Sequence, residues 1–223
     1  MSVAIEQSRE AWSRATAARK TIDLDWAADD LVDGWALRPD ALALVMALVR
    51  EMQPRHIIEF GSGLSTRALA RASSQCDRPC SISSIDHDPV FSARAAERLA
   101  ADGLDGSVAF QVAPLVVRPF RGWGPIFPTY LVDPTRLASA LPADLVLIDG
   151  PPAMLGGRAG TLFQVLDLCR AGTTVLLDDA NRAAELEAIE TWKARLKGMI
   201  DVTVLPGFER GLARIMINEA VAL

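Results

Sequence analysis

Short apolar runs that alternate with helical stretches constrain this chain more than any other feature. HIIEF (56–60), SISSID (81–86), SVAFQV (107–112), ADLVLID (143–149) and TTVLLDD (173–179) are brief and largely apolar. Between them lie LSTRALARAS (64–73), DPVFSARAAERLAADG (88–103) and GTLFQVLDLCRAG (160–172), which carry helical periodicity and end in glycine or small residues. Strands covered by helices on both faces have this apolar character, because neither side of the sheet meets water. Alternation with helices of about 10 to 16 residues predicts βαβ units and a parallel, doubly wound α/β sheet. RAAELEAIETWKARLKG (182–198) predicts a charged amphipathic helix, and IDVTVLPG with RGLARIMIN predicts a terminal hairpin.

The length, 223 residues, suits one sizeable core. Basic residues number 23 and acidic ones 28, a net charge of −5. A mildly acidic chain with no basic stripe argues against a nucleic-acid partner. No apolar run approaches the roughly 18 residues that span a bilayer, so no membrane partner is expected. The first twenty residues mix acids and bases, which predicts no secretory signal. Cys76, Cys80 and Cys169 are odd in number and read as reduced thiols, so a cytoplasmic protein is expected. Only His56 and His87 are present, which removes most histidine-based metal and triad chemistry.

Residues 5–20 and 26–33 predict amphipathic helices, and we read 1–38 as an N-terminal helical cap. Such helices can pack on their own domain or on a partner subunit, so a homodimer is compatible with the pattern. PDALALVMALVREM (39–52) opens the main domain, 39–223, as a strong helix. Pro39 suits its first turn, and Leu42, Val45, Met46 and Val49 line one face. Residues 113–142 break the rhythm with six prolines. A connection of that length is expected to be functional, an insertion over the ligand-binding edge.

The densest chemical signal is Glu59-Phe60-Gly61-Ser62-Gly63-Leu64-Ser65-Thr66 at a strand-to-helix turn. Gly61 and Gly63 permit close backbone approach to a ligand, and the helix N-terminus offers free N–H donors. Asp86 ends the next strand, where a carboxylate can accept hydrogen bonds from two ribose hydroxyls; capping the following helix is its alternative role. Thr66 stands where a dinucleotide fingerprint needs glycine, and no phosphate-loop G-K-[ST] occurs. Glu59 would repel a pyrophosphate and suit a cationic ligand.

Glu59–Thr66 resembles motif I of class I S-adenosylmethionine-dependent methyltransferases, with Ser65 in place of the third glycine. The variant is similar to that of small bacterial methyltransferases that also carry D-G-P-P and D-D-x-x-R, here Asp149–Pro152 and Asp178–Arg182. The resemblance implies a Rossmann-like sheet of seven strands over residues 39–218, its last hairpin antiparallel, and S-adenosylmethionine as cofactor. It implies that Gly61 and Gly63 pass under the methionine part, with Ser62, Ser65 and Thr66 of the same turn also binding the cofactor. Glu59 would help hold the amino group, Asp86 the ribose, and Ala113 would touch the adenine. His87 would lie beside adenine or ribose, or in solvent. Trp35, Ala36 and Leu37 would close over the cofactor, with Trp35 as a core anchor the alternative.

Methyl transfer needs an aligned nucleophile and often a proton acceptor. Asp149 ends the fourth strand near the expected methyl position, and Asp178 and Asp179 end the next. Carboxylates this close need a cation, a shared proton or water. One of them serves as general base, or Asp149 and Asp179 hold a metal as in catechol-type O-methyltransferases. Ala180 departs from that family's late Asp-Asn pair, so no metal is expected. Arg182 would neutralise this edge, bind an anionic acceptor or start a helix with a salt bridge. Arg118, Arg121, Trp123 and Tyr130, with Phe120 and Phe127, are candidate contacts for a small-molecule acceptor. The expected function is methylation of a sugar or natural-product intermediate, most simply at oxygen. Transfer of an aminopropyl group, a dinucleotide oxidoreductase, and a non-catalytic protein of the same fold are the rivals.

Overall fold

The computed structural model describes residues 2–31, 34, 36–120, 126–137 and 142–219. In chain order it contains α1 (Val3–Ala18), α2 (Pro39–Met52), β1 (His56–Phe60), α3 (Leu64–Ser73), β2 (Ser81–Asp86), α4 (Pro89–Ala101) and β3 (Val108–Val112). There follow β4 (Leu115–Arg118), β5 (Phe127–Tyr130), α5 (Pro134–Leu137), β6 (Ala143–Ile148), α6 (Ala159–Val165), β7 (Cys169–Asp178), α7 (Ala183–Arg195), β8 (Ile200–Leu205) and β9 (Leu212–Ile217). Seven strands form one sheet in the order β3-β2-β1-β6-β7-β9-β8. All neighbours are parallel except β9, which runs antiparallel to β7 and β8. The Rossmann-like doubly wound sheet and its terminal antiparallel hairpin are therefore present.

Two cores flank the sheet, and the strands feed them alternately. Ile57, Leu145, Leu147 and Leu176 face α2, α3 and α4, while Ile58, Val146, Ile148, Val175 and Leu177 face α6 and α7. That period-2 division is why the strands read as apolar throughout. Trp192 of α7 is fully buried, and its indole N–H donates to the Ala159 carbonyl at 2.8 Å. The α2 helix is buried at every residue from Ala41 to Val49, beyond the single face expected, because α1 covers the side turned away from the sheet.

Two local expectations are corrected, and one segment left without elements gains a pair of strands. The helix expected over 160–172 ends at Val165; one tight turn follows, and β7 begins at Cys169. The register slips from Ala143↔Cys169 to Leu145↔Thr174, so β7 holds three extra residues in a bulge. Gly172 takes φ +92° there, and a Cβ on it would lie 2.8 Å from the Ala4 carbonyl, so α1 packs directly on the bulge. Secondly, the segment expected as a helix over 26–33 shows only a short 3-10 turn, Asp25–Ala27, among its described residues. Thirdly, the proline-rich segment holds an antiparallel hairpin, with Leu115↔Tyr130 and Val117↔Pro128 in register. Pro128 is tolerated because a two-stranded ribbon consists of edges.

Candidate active site

The order β2-β1-β6-β7 places a topological switch point between β1 and β6. The chain leaves β1 for α3 on one face and β6 for α6 on the other, opening a crevice at the strands' C-terminal ends. Gly61 turns the chain there with φ +100° and donates its N–H to the Ile85 carbonyl at 2.8 Å. A Cβ at Gly61 would sit 3.2 Å from the Asp149 carbonyl carbon, so the two strand ends meet only because position 61 is glycine. Gly63 is extended, and a Cβ there would meet nothing within 4 Å. It faces a cleft of about 420 Å³ whose wall includes Ala36, Leu37, Ser62, Ser65 and Asp149. A larger cleft, about 580 Å³, lies at the opposite edge of the sheet against Arg55, Asp144 and Arg170, and carries none of the predicted residues.

Asp86 is buried beside the glycine turn. Its Oδ2 accepts from the Ser62 N–H at 2.6 Å and its Oδ1 from the Asp88 N–H at 2.8 Å. The capping role belongs to Asp88, which accepts from the Val90 N–H at 2.7 Å. A carboxylate offers about four acceptor positions, so Asp86 retains capacity for hydroxyl donors. His87 Nδ1 lies 3.1 Å from Asp86 Oδ1, and the buried Ala113 donates its N–H to the Asp86 carbonyl at 2.7 Å.

Glu59 is fully buried. Its Oε2 accepts from Thr66 Oγ1 at 2.5 Å and Ser84 Oγ at 2.7 Å, and Thr66 Oγ1 in turn accepts from the Gly63 N–H at 2.9 Å. Among the described residues Glu59 Oε1 has no hydrogen-bond partner. Burial pushes this carboxyl from 4.5 up to about 7, against the pull of the neighbouring hydroxyls. The folded protein thus holds a proton that the unfolded chain has already released between about pH 4.5 and 7. The unfolded state binds fewer protons across that window, so stability falls as pH rises through it. Glu59→Gln is expected to flatten this dependence, by up to about 3 kcal/mol between pH 4.5 and 7.5. Urea unfolding across the window checks it; equal slopes for variant and parent contradict it.

Asp149, Asp178 and Asp179 bring carboxylate oxygens within 4.8 Å of one another. The cation among them is Arg158, which sequence reasoning missed. Its Nη2 donates to Asp149 Oδ1 at 2.9 Å and Asp179 Oδ2 at 2.7 Å, and its Nη1 donates to the Asp178 carbonyl at 2.6 Å. Buried Glu185 stands behind it, Oε1 3.9 Å from Nε. A charge count would have found it: between Asp149 and Asp178 the only basic residues are Arg158 and Arg170. Arg182, half exposed, donates from Nη1 to Asp179 Oδ2 at 2.8 Å. Asp179 holds φ +57°, pinned by the Arg182 N–H on its carbonyl at 2.8 Å. Burial raises Asp149 well above the ordinary carboxylate range and, with the Asp179 charge second, Asp178 to about 6.

The hairpin divides the remaining candidates. Tyr130 is fully buried, 5.2 Å ring to ring from Phe60, and its hydroxyl has no hydrogen-bond partner among the described residues. A Cβ on Gly150 would lie 2.2 Å from that hydroxyl, so Tyr130 packs against the Asp149-Gly150 turn. Phe120 and Phe127 pack on Phe163 of α6, 5.9 and 5.8 Å between centroids, as part of the core. Arg118 is exposed, its guanidinium 5.4 Å from the Phe120 ring centre. Trp35, Arg121 and Trp123 lie outside the described residues.

The sequence matches the methyltransferase domain family over residues 58–180, more than half of the chain. No curated protein matches it by sequence. Among solved structures, it is similar to the O-methyltransferase TomG from Streptomyces achromogenes, involved in tomaymycin synthesis and in complex with S-adenosylmethionine. That match has 20% identity and a TM-score of 0.60, over 94% of this chain and 90% of that one. An O-methyltransferase from Bacillus cereus in complex with S-adenosylhomocysteine matches at 16% identity and a TM-score of 0.61, over 94% and 91%. A Podospora anserina methyltransferase bound to S-adenosylhomocysteine matches at 20% and 0.59, over 96% and 88%. Among the described residues no helix is long and apolar enough to cross a membrane. The chain belongs to the methyltransferase domain family, and it shares its fold with methyltransferases solved in complex with S-adenosylmethionine or S-adenosylhomocysteine.

Proposed function

We propose that this enzyme methylates a hydroxyl oxygen of a small molecule, a sugar or natural-product intermediate, in the cytoplasm. The observation that carries the proposal is the shared cleft: Gly63, where a Cβ would touch nothing, and Asp149, a partly buried base candidate, line the same wall. Bound S-adenosylmethionine supplies an electrophilic methyl group on sulfur. Asp86 holds its ribose, through acceptor capacity left over from the Ser62 and Asp88 amides. Glu59 Oε1, buried with no hydrogen-bond partner among the described residues, receives its amino group. Ser62, Ser65 and Leu37 bound the cleft. Thr66 fixes Glu59 and Gly63 rather than reaching the cleft, and Ala113 and His87 flank Asp86 at the adenine end.

Asp149 takes the acceptor's proton. Burial raises its proton affinity, which makes it a stronger base once ionised. Arg158 holds Oδ1 and leaves Oδ2 for the acceptor. Asp179 and Arg182 fix Arg158 and the adjoining turn. The N-terminal segment and the β4–β5 hairpin, with Arg118 at its surface, border the acceptor. Two of the solved relatives are O-methyltransferases, one of them from a biosynthetic route, which supports oxygen as the target. The test is incubation with methyl-labelled S-adenosylmethionine and a panel of hydroxylated sugars and aromatics. Label in an O-methyl product, with stoichiometric S-adenosylhomocysteine, is expected; label on nitrogen alone, or none with any acceptor, contradicts the proposal.

A further inference from the structure

The cluster of Asp149, Asp178 and Asp179 has the residue types of a divalent-metal site, and catechol-type relatives by resemblance put a metal at this edge. The arrangement here does not fit one. A metal bridging Asp149 and Asp179 requires their facing oxygens at about 2.0 to 2.6 Å. Those oxygens, Asp149 Oδ1 and Asp179 Oδ2, both accept from one nitrogen, Arg158 Nη2, at 2.9 and 2.7 Å. The guanidinium is caged on its other sides by the Asp178 carbonyl and Glu185, with 4% of the side chain exposed. A guanidinium stays charged at any pH a protein tolerates, so it cannot vacate the position by losing a proton.

We propose that Arg158 is the resident cation of this site, standing where a metal would bridge Asp149 and Asp179, so that methyl transfer proceeds without a divalent ion. The catalytic part rests on the function proposed above; the occupancy of the site does not. Arg158 is here a positioning residue. It neutralises the edge, fixes the Asp149 carboxylate through Oδ1, and leaves the other oxygen to the acceptor. The proposal also explains why α7 buries a glutamate. Glu185 supplies a further negative charge beside a guanidinium that is almost wholly buried.

Manganese titration followed by electron paramagnetic resonance tests the occupancy and needs neither cofactor nor acceptor. The parent enzyme is expected to leave Mn²⁺ free. Arg158→Ala, which exposes three clustered carboxylates, is expected to bind it at least about 10-fold more tightly. The double variant Arg158→Ala/Asp179→Asn is expected to lose that gain. Parent protein that takes up Mn²⁺ and loses it with Asp179→Asn overturns the proposal. So does a folded Arg158→Ala that binds no better than the parent. Should Arg158→Ala fail to fold, the parent titration alone still decides, paired with turnover in EDTA, expected within about twofold of untreated enzyme. Loss of turnover on chelation, restored by Mn²⁺, overturns the proposal. A failed search for methyl transfer leaves the Mn²⁺ result standing, so the two readings fail separately.

Discussion

Asp149→Asn is expected to lower turnover by about 100- to 10,000-fold, the usual contribution of a positioned proton acceptor. Asparagine keeps the shape, and its oxygen still accepts from Arg158 Nη2, now 2.9 Å from Asp149 Oδ1. It removes the capacity to take a proton. Affinity for S-adenosylmethionine should stay within a few-fold, because the cofactor contacts assigned to Glu59, Gly63 and Asp86 are untouched. The parent enzyme's turnover should rise with pH as Asp149, raised by burial, ionises; the variant should lose that rise. Asp178 interacts with Asp149, so the profile reports the pair's apparent value. Near-parental turnover in Asp149→Asn would leave the residue as a support for Arg158 and move the base elsewhere.

The second large effect is on binding. Asp86→Asn is expected to weaken S-adenosylmethionine binding by roughly 10- to 150-fold, the loss of charge-assisted hydrogen bonds of about 1.5 to 3 kcal/mol. Asp86 spends one acceptor position on each of two backbone amides, Ser62 and Asp88, and those contacts hold the glycine turn. The asparagine amide can oppose one of those donors, so melting temperature must be measured alongside affinity. A folded variant with parental affinity would assign Asp86 to the turn alone.

The site's first half was legible because it is local. Glu59, Gly61, Gly63 and Thr66 lie within eight residues, and Thr66 joins Gly63 N–H to Glu59 in one chain of hydrogen bonds. Asp86 is one strand away, and the β1–β2 register, with Ile85 opposite Phe60, sets it beside the glycine turn. The second half was only partly legible, because it is tertiary. Asp149 and Asp179 announce themselves at strand ends, yet Arg158 reaches them from the turn before α6, with no spacing rule to mark it. The need for a cation was readable and pointed to Arg182; between Asp149 and Asp178 the sequence holds two more basic residues, Arg158 and Arg170. The fold separates them: Arg170 pairs with Asp144 at the far edge of the sheet, and Arg158 enters the site.

Similar logic applies to the fold. Period-2 burial wrote the strands clearly, since each apolar side chain faces one core or the other. The helical period of GTLFQVLDLC continued past the true end of α6, because Leu166 and Cys169 are buried in strand and turn as they would be in helix. The bulge at Gly172 exists to admit α1, a contact 168 residues away in sequence that no local pattern records. Prolines at 114, 119, 125 and 128 masked the hairpin, although its Leu115 and Tyr130 pack toward the core.

The glycine turn, Asp86 and Glu59 together make the proposed site for S-adenosylmethionine. Calorimetric titration of the purified chain with S-adenosylmethionine, S-adenosylhomocysteine and NAD tests it most directly. One-to-one binding of both sulfur ligands at micromolar affinity, with no heat from NAD, is expected. Heat from NAD with silence from both sulfur ligands would contradict it, leaving Gly61–Gly63 as a turn between strand and helix.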